Sequence, residues 1–123
     1  MKKLSNKDGI IAAAAMDQRG SLQKSLASAK GVAPKDISRE MMSEFKTAVT
    51  RILTPHASAI LLDPEFGLNA AKARSSNAGL LLAYEESGYD NTKPGRLPDL
   101  LPHVSAKRIA RSEERRVGKE CRL

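Results

Sequence analysis

The chain has 123 residues, enough for one ordinary domain, with 41% apolar, 28% charged and 3% aromatic residues and no Trp. That composition can bury an aliphatic core and excludes a disordered polymer. The single cysteine, Cys121, excludes a disulfide-built secreted fold, and the net charge of +7 is scattered, without the basic and aromatic stripe that nucleic-acid binding needs.

Taken in chain order, Ile10–Met16 (IIAAAAM) is the first apolar run. It falls far short of the ~20 residues needed to cross a bilayer. It follows Lys2, Lys3 and Lys7 in the outline of a signal peptide, but Asp8 interrupts the basic region and Asp17-Gln18-Arg19 follows at once. It therefore reads as a strand, and the chain as cytoplasmic. Ser21–Ala29 is a short helical candidate. The spacing of Ile37, Met41, Met42, Phe45, Ala48, Val49, Ile52 and Leu53 predicts a helix with these residues on its buried face. Ser43, Glu44, Lys46, Thr47, Thr50 and Arg51 fall on the opposite, solvated face. Asp36 is the expected N-cap, and Pro55 stops the helix.

Ala59–Leu62 (AILL) and Gly79–Tyr84 (GLLLAY) are further continuous apolar runs, with a helical candidate, Leu68–Arg74, between them. Continuous runs suit strands covered on both faces, and strands alternating with helices indicate βα units around a parallel sheet. A Gly-, Pro-, Asn- and Asp-rich loop, Gly88–Pro98, follows, and a further helix starts near Ser105. Arg111–Leu123 (RSEERRVGKECRL) breaks the pattern, with eight of its thirteen residues charged.

In such architectures the reactive groups sit where strands run into loops at the C-terminal face. The first strand exits into Asp17-Gln18-Arg19, the second into Asp63-Pro64-Glu65 and the third into Tyr84-Glu85-Glu86. Carboxylates converging beside an arginine suit proton transfer and recognition of a polyhydroxylated substrate. The same residues also serve as ordinary caps and loop hydrogen-bonding groups, and from position alone Asp17 stands evenly between the two roles. His56 and His103 have no companions at metal-ligand spacing, so no metal site is expected, and no phosphate-cradling glycine loop is present.

The segments Gly9–Leu22 (GIIAAAAMDQRGSL), Ala57–Ala73 (ASAILLDPEFGLNAAKA) and Gly79–Asp99 (GLLLAYEESGYDNTKPGRLPD), in this order and spacing, closely resemble tagatose-bisphosphate-type class I aldolases. The resemblance covers nearly all of residues 5–110. It implies a TIM (β/α)8 barrel, of which residues 1–110 are an N-terminal part with about three βα units. It also implies a Schiff-base enzyme that cleaves a ketose bisphosphate without metal or cofactor. Carried over by motif, Asp17 is the catalytic residue near the substrate carbonyl, and Gln18 binds substrate hydroxyls. Arg19, Asp63 and Glu65 join the substrate-binding rim.

The family's Schiff-base lysine belongs to a fourth strand, beyond the matching segment. None of the three strand runs contains a lysine, and Lys24, Lys30, Lys46, Lys72 and Lys93 all read as helix or loop residues outside any dry, enclosed setting. Residues 111–123 resemble the conceptual translation of a short-read sequencing adapter and are read as a non-native tail. Two other readings stand beside this one: a related sulfofructose-phosphate-type aldolase, and a small basic binding protein. The sequence leaves open the oligomeric state of the whole protein, a homo-oligomer included, and implies neither nucleic acid nor membrane as partner.

Overall fold

A computed structural model of the chain describes residues 3–85 and residue 101. The expected loop Gly88–Pro98, the helix from Ser105, Glu86 and the tail from Arg111 lie outside the described residues. The elements are β1 (Ala13–Met16), α1 (Gly20–Lys30), α2 (Arg39–Leu53), β2 (Ala59–Leu62), α3 (Leu68–Ala73) and β3 (Gly79–Leu82), with 3-10 turns at Pro34–Asp36 and Thr54–His56.

The three strands form one parallel sheet in the order β1-β2-β3. Ala14 pairs with Ile60 and Met16 with Leu62 across the first pair. Ile60 pairs with Leu80 and Leu62 with Leu82 across the second. Leu4, Ala59, Ile60, Leu62, Ala70, Ala71 and Leu80 make the main core, so α3 offers only alanines to the strands and lies close on them. A second cluster of Ala27, Ile37 and Met42, flanked by Leu22, Leu26, Met41 and Phe66, joins α1 to α2. No helix of the described residues is long and apolar enough to cross a membrane.

β1 begins three residues later than the apolar run. Asn6 explains the delay: its side-chain oxygen accepts from the backbone of Asp8 and Ile10 at 2.9 and 3.0 Å, and its own N–H donates to the Ile10 carbonyl at 2.8 Å. That closed turn holds Ile10 out of the ladder. Ser58 organises the N-terminal edge of the sheet. Its hydroxyl donates to the Leu4 carbonyl at 2.7 Å and accepts from Ala12 N–H at 2.8 Å, and its carbonyl accepts from Gly79 N–H at 2.9 Å.

The helices show how local signals were used and where they were overridden. α1 ends on Gly31, whose φ of 67° is the left-handed conformation that closes a helix. α2 is capped by Ser38 rather than Asp36, the Ser38 hydroxyl accepting from Met41 N–H at 3.2 Å. Asp36 instead accepts from Ala33 N–H and closes the 3-10 turn before it.

The buried face of α2 differs from the periodicity-based expectation. Met42, Lys46 and Thr50 are the buried residues, while Phe45, Ile52 and Leu53 are exposed, Ile52 at 69%. At 3.6 residues per turn this places the buried stripe roughly a quarter turn from the apolar one. Two contacts account for it. α3 packs against α2, with the Asn69 side chain donating to the Ser43 hydroxyl at 3.3 Å, and Lys46 is drawn inward by acceptors at the strand ends.

Candidate functional site

At the C-terminal edge of the sheet, β1 delivers Asp17, Gln18 and Arg19, and β2 delivers Asp63 and Glu65. Asp17 is half-buried, and Gln18 and Glu65 are exposed. Among the described residues, no hydrogen bond or ion pair engages the Asp17 carboxylate. Asp17 follows Met16, and Asp63 follows Leu62, the residue paired with Met16. The two carboxylates therefore leave adjacent strands at the same level.

Asp63 has a different environment from Asp17. It is wholly buried, and both of its oxygens are engaged. Oδ2 accepts from the backbone N–H of Glu65 at 3.0 Å and of Phe66 at 2.7 Å, which shapes the turn leading into α3. Oδ1 forms a buried ion pair with Lys46 Nζ. Lys46 Nζ also donates to the carbonyls of Met16 at 2.6 Å and Gln18 at 2.7 Å. One ammonium thus ties the exit of β1 to the exit of β2, and each of its three protons has an acceptor.

Arg19 makes a second tie. Its guanidinium donates to the Glu85 carbonyl at 3.1 Å and lies 4.0 Å from Asp63 Oδ2, with 9% of the side chain exposed. The exits of all three strands are therefore joined beneath the rim by two cations around one carboxylate. Of the five residues expected at the site, Asp17, Gln18 and Glu65 reach solvent, Arg19 is largely covered, and Asp63 is enclosed.

By the polarity pattern of α2, Lys46 falls on the solvated face of the helix and outside any enclosed setting. The structure corrects both statements, since Lys46 is 0% exposed. The available signal was positional: Lys46 shares the i, i+4, i+8 stripe of Met42 and Thr50, four residues on from a buried methionine. An ammonium donating three hydrogen bonds has no lone pair to offer, so this lysine is not arranged as a nucleophile. Lys24, Lys30, Lys35 and Lys72 are exposed on helices or turns. No group of three His, Cys, Asp or Glu side chains among the described residues could hold a metal ion.

An open cleft of about 430 Å³ lies between α2 and the β2–α3 turn, lined by Arg39, Glu40, Ser43, Glu65, Phe66 and Asn69 among others. Arg39 stacks over the Phe66 ring at 5.1 Å and donates to the Glu65 carbonyl at 2.8 Å. Glu65 is the one rim residue that reaches this cleft. Asp17, Gln18 and Arg19 do not line it.

Residues 11–114 match the family model described as DeoC/LacD family aldolase. The chain is 58% identical over 109 residues to tagatose 1,6-diphosphate aldolase 2 of Enterococcus faecalis, covering 89% of this chain and 32% of that protein. It is 52% identical over 109 residues to tagatose 1,6-diphosphate aldolase of Listeria monocytogenes and to tagatose 1,6-diphosphate aldolase 1 of Streptococcus mutans, again over 89% of this chain and over 31% and 33% of theirs. The chain thus spans about a third of the length of the curated relatives it matches. Since the family model covers residues 11–114, with the whole parallel sheet and its rim inside that span, the chain belongs to the DeoC/LacD family of aldolases.

Proposed function

We propose that the full-length protein containing these residues is a class I aldolase that cleaves tagatose 1,6-bisphosphate to dihydroxyacetone phosphate and glyceraldehyde 3-phosphate. The observation that carries this reading is the 58% identity to a protein named for that substrate, across the segment that supplies the rim. Residues 1–110 are then about the first three βα units of a (β/α)8 barrel. The uncovered flank of α2, with Phe45 and Ile52, and the exposed side of β1 fit surfaces that a closing barrel would cover.

In this mechanism a lysine amine outside residues 1–123 adds to the C2 ketone and expels water to give an iminium. A base removes the C4 hydroxyl proton. The C3–C4 bond breaks, and its electron pair flows into the iminium to give an enamine as the aldehyde leaves. Protonation at C3 and hydrolysis return dihydroxyacetone phosphate and the free amine. Asp17, half-buried at the strand exit with a carboxylate that no described residue engages, stands beside C2 and handles protons during iminium formation. Gln18, exposed beside it, holds substrate hydroxyls. Glu65 faces the same rim. Arg19 and Asp63 act on the substrate indirectly, by fixing the backbone that carries Asp17.

The full-length protein is expected to cleave tagatose 1,6-bisphosphate in the presence of a chelator and to lose activity when treated with borohydride plus dihydroxyacetone phosphate. Failure to cleave it would overturn the reading, and cleavage of a sulfofructose phosphate instead would move the substrate to a neighbouring aldolase type. The 123-residue chain by itself is expected to yield no trapped adduct.

A further inference from the structure

We propose that Lys46 is a positioning residue for Asp17, setting the catalytic carboxylate by gripping the main chain on either side of it. This rests on the reading of Asp17 as a catalytic group.

The two carbonyls bound by Lys46 belong to Met16 and Gln18, the residues immediately before and after Asp17. Both peptide groups that bracket the carboxylate are therefore held from one point. That point is itself fixed. Lys46 projects from the middle of the 15-residue helix α2, and its ammonium is paired with Asp63, whose other oxygen is locked by two backbone N–H groups. The chain from α2 to the Asp17 backbone contains no exposed link, since Lys46 and Asp63 are both at 0%.

Stability alone is a poor reason for a lysine in this place. Two charges withdrawn from water recover little net energy, and well-packed apolar side chains of similar volume commonly serve as well or better. A methionine would fill the same space beside Met42. What a methionine cannot do is donate to the two carbonyls on either side of Asp17, where β1 ends and the chain leaves the sheet. Without those bonds Asp17 is held from the β1 side only. Displacement of a reacting group by about 1 Å costs on the order of 10²-fold in rate.

The test uses the full-length protein carrying Lys46→Met, or Lys46→Met/Asp63→Asn to avoid an unpaired buried carboxylate, each made with and without Asp17→Asn. Wild-type cleavage of tagatose 1,6-bisphosphate is measured first, and its absence would count against the function reading alone. In a folded Lys46 variant kcat is expected to fall roughly 30- to 100-fold, by the displacement argument above, with KM within about threefold. Borohydride trapping of dihydroxyacetone phosphate is expected still to reach completion but more slowly than in the wild type, since Asp17 serves iminium formation. In the Asp17→Asn background the Lys46 change is expected to cost less than about threefold more, because the two residues act as one unit. Three results would overturn the proposal: a kcat within threefold of wild type, full additivity of the Lys46 and Asp17 changes, or loss of the fold in both Lys46 variants, which would assign Lys46 to folding alone.

Discussion

Lys46 and Asp63 form an ion pair in which neither side chain has any exposure to solvent. The pair joins a helix to the end of a strand, and its remaining hydrogen-bonding capacity is used on backbone groups of β1 and of the β2–α3 turn. Such a pair is asymmetric in its consequences. Removing one partner leaves a buried charge without compensation, at a cost of about 3–5 kcal/mol, whereas replacing both by apolar groups can be nearly neutral. In the full-length protein, Lys46→Ala and Asp63→Ala are each expected to lower the unfolding free energy by that amount. Lys46→Met/Asp63→Leu is expected to recover much of it. Denaturant melts of the three variants check this, and additive losses in the double variant would contradict it.

The strand exits were legible in the sequence because aliphatic runs mark strands and the first charged residue after each run marks the rim. Ala59–Leu62 has the same bounds in the structure as in the sequence, which put Asp63 at a strand end. The division of labour at that end was not legible. Asp17 and Asp63 occupy equivalent positions after their strands, yet Asp63 is enclosed and Asp17 is not, because the partner that encloses Asp63 lies seventeen residues earlier in the chain. The buried stripe of α2 escaped for the same reason. Periodicity ranks side chains by polarity, and Lys46 is buried by acceptors that exist only once β1 and β2 are aligned. Gly79 likewise looked like a strand start and nothing more.

Gly79 is in fact a close-approach position. A Cβ there would overlap the Lys3 carbonyl and stand 2.7 Å from the Leu4 side chain, so the N-terminal segment can lie across the start of β3 only if residue 79 has no side chain. The obstacle is partly backbone and cannot rotate away. Gly79→Ala is expected to destabilise the protein by about 1–3 kcal/mol, the usual cost of overpacking. Faster amide exchange at residues 3–12 should accompany it. An unchanged melting temperature would show that the segment shifts at no cost.

The first turn of α2 carries an acid-sensitive element. Glu40 is held below the ordinary glutamate range by hydrogen bonds from its own backbone N–H and, second, from the Ser38 hydroxyl, with Arg39 nearby adding to the effect. A carboxylate whose folded value is depressed stabilises the fold above its unfolded value, and that contribution is lost as pH falls through the folded value. Acid should therefore loosen the start of α2. In an NMR titration Glu40 is expected to titrate below the ordinary glutamate range, and Ser38→Ala should bring it back toward that range. Loss of that cap should also cost about 0.5–2 kcal/mol. Titration of Glu40 within the ordinary glutamate range in the unmodified protein would refute the assignment.

Asp17 gives the sharpest distinction between a catalytic rim and an ordinary strand end. It is half-buried, its carboxylate takes no hydrogen bond from the described residues, and the backbone on both sides of it is bound by a buried lysine. A cap or loop-closing aspartate would show the reverse pattern, with its oxygens on nearby N–H groups, as Asp63 has. Asp17→Ala in the full-length protein is accordingly expected to leave the melting temperature within a few degrees while lowering kcat by ~10²–10⁴-fold, the range for a positioned proton-transfer group. Gln18→Ala, which removes a hydroxyl contact made before and during reaction, should instead act mainly through KM. Steady-state kinetics on tagatose 1,6-bisphosphate and thermal melts of both variants decide the matter. A large loss of stability with near-normal turnover in Asp17→Ala would make Asp17 a structural group, and the rim would then have to find its acid–base chemistry on later strands.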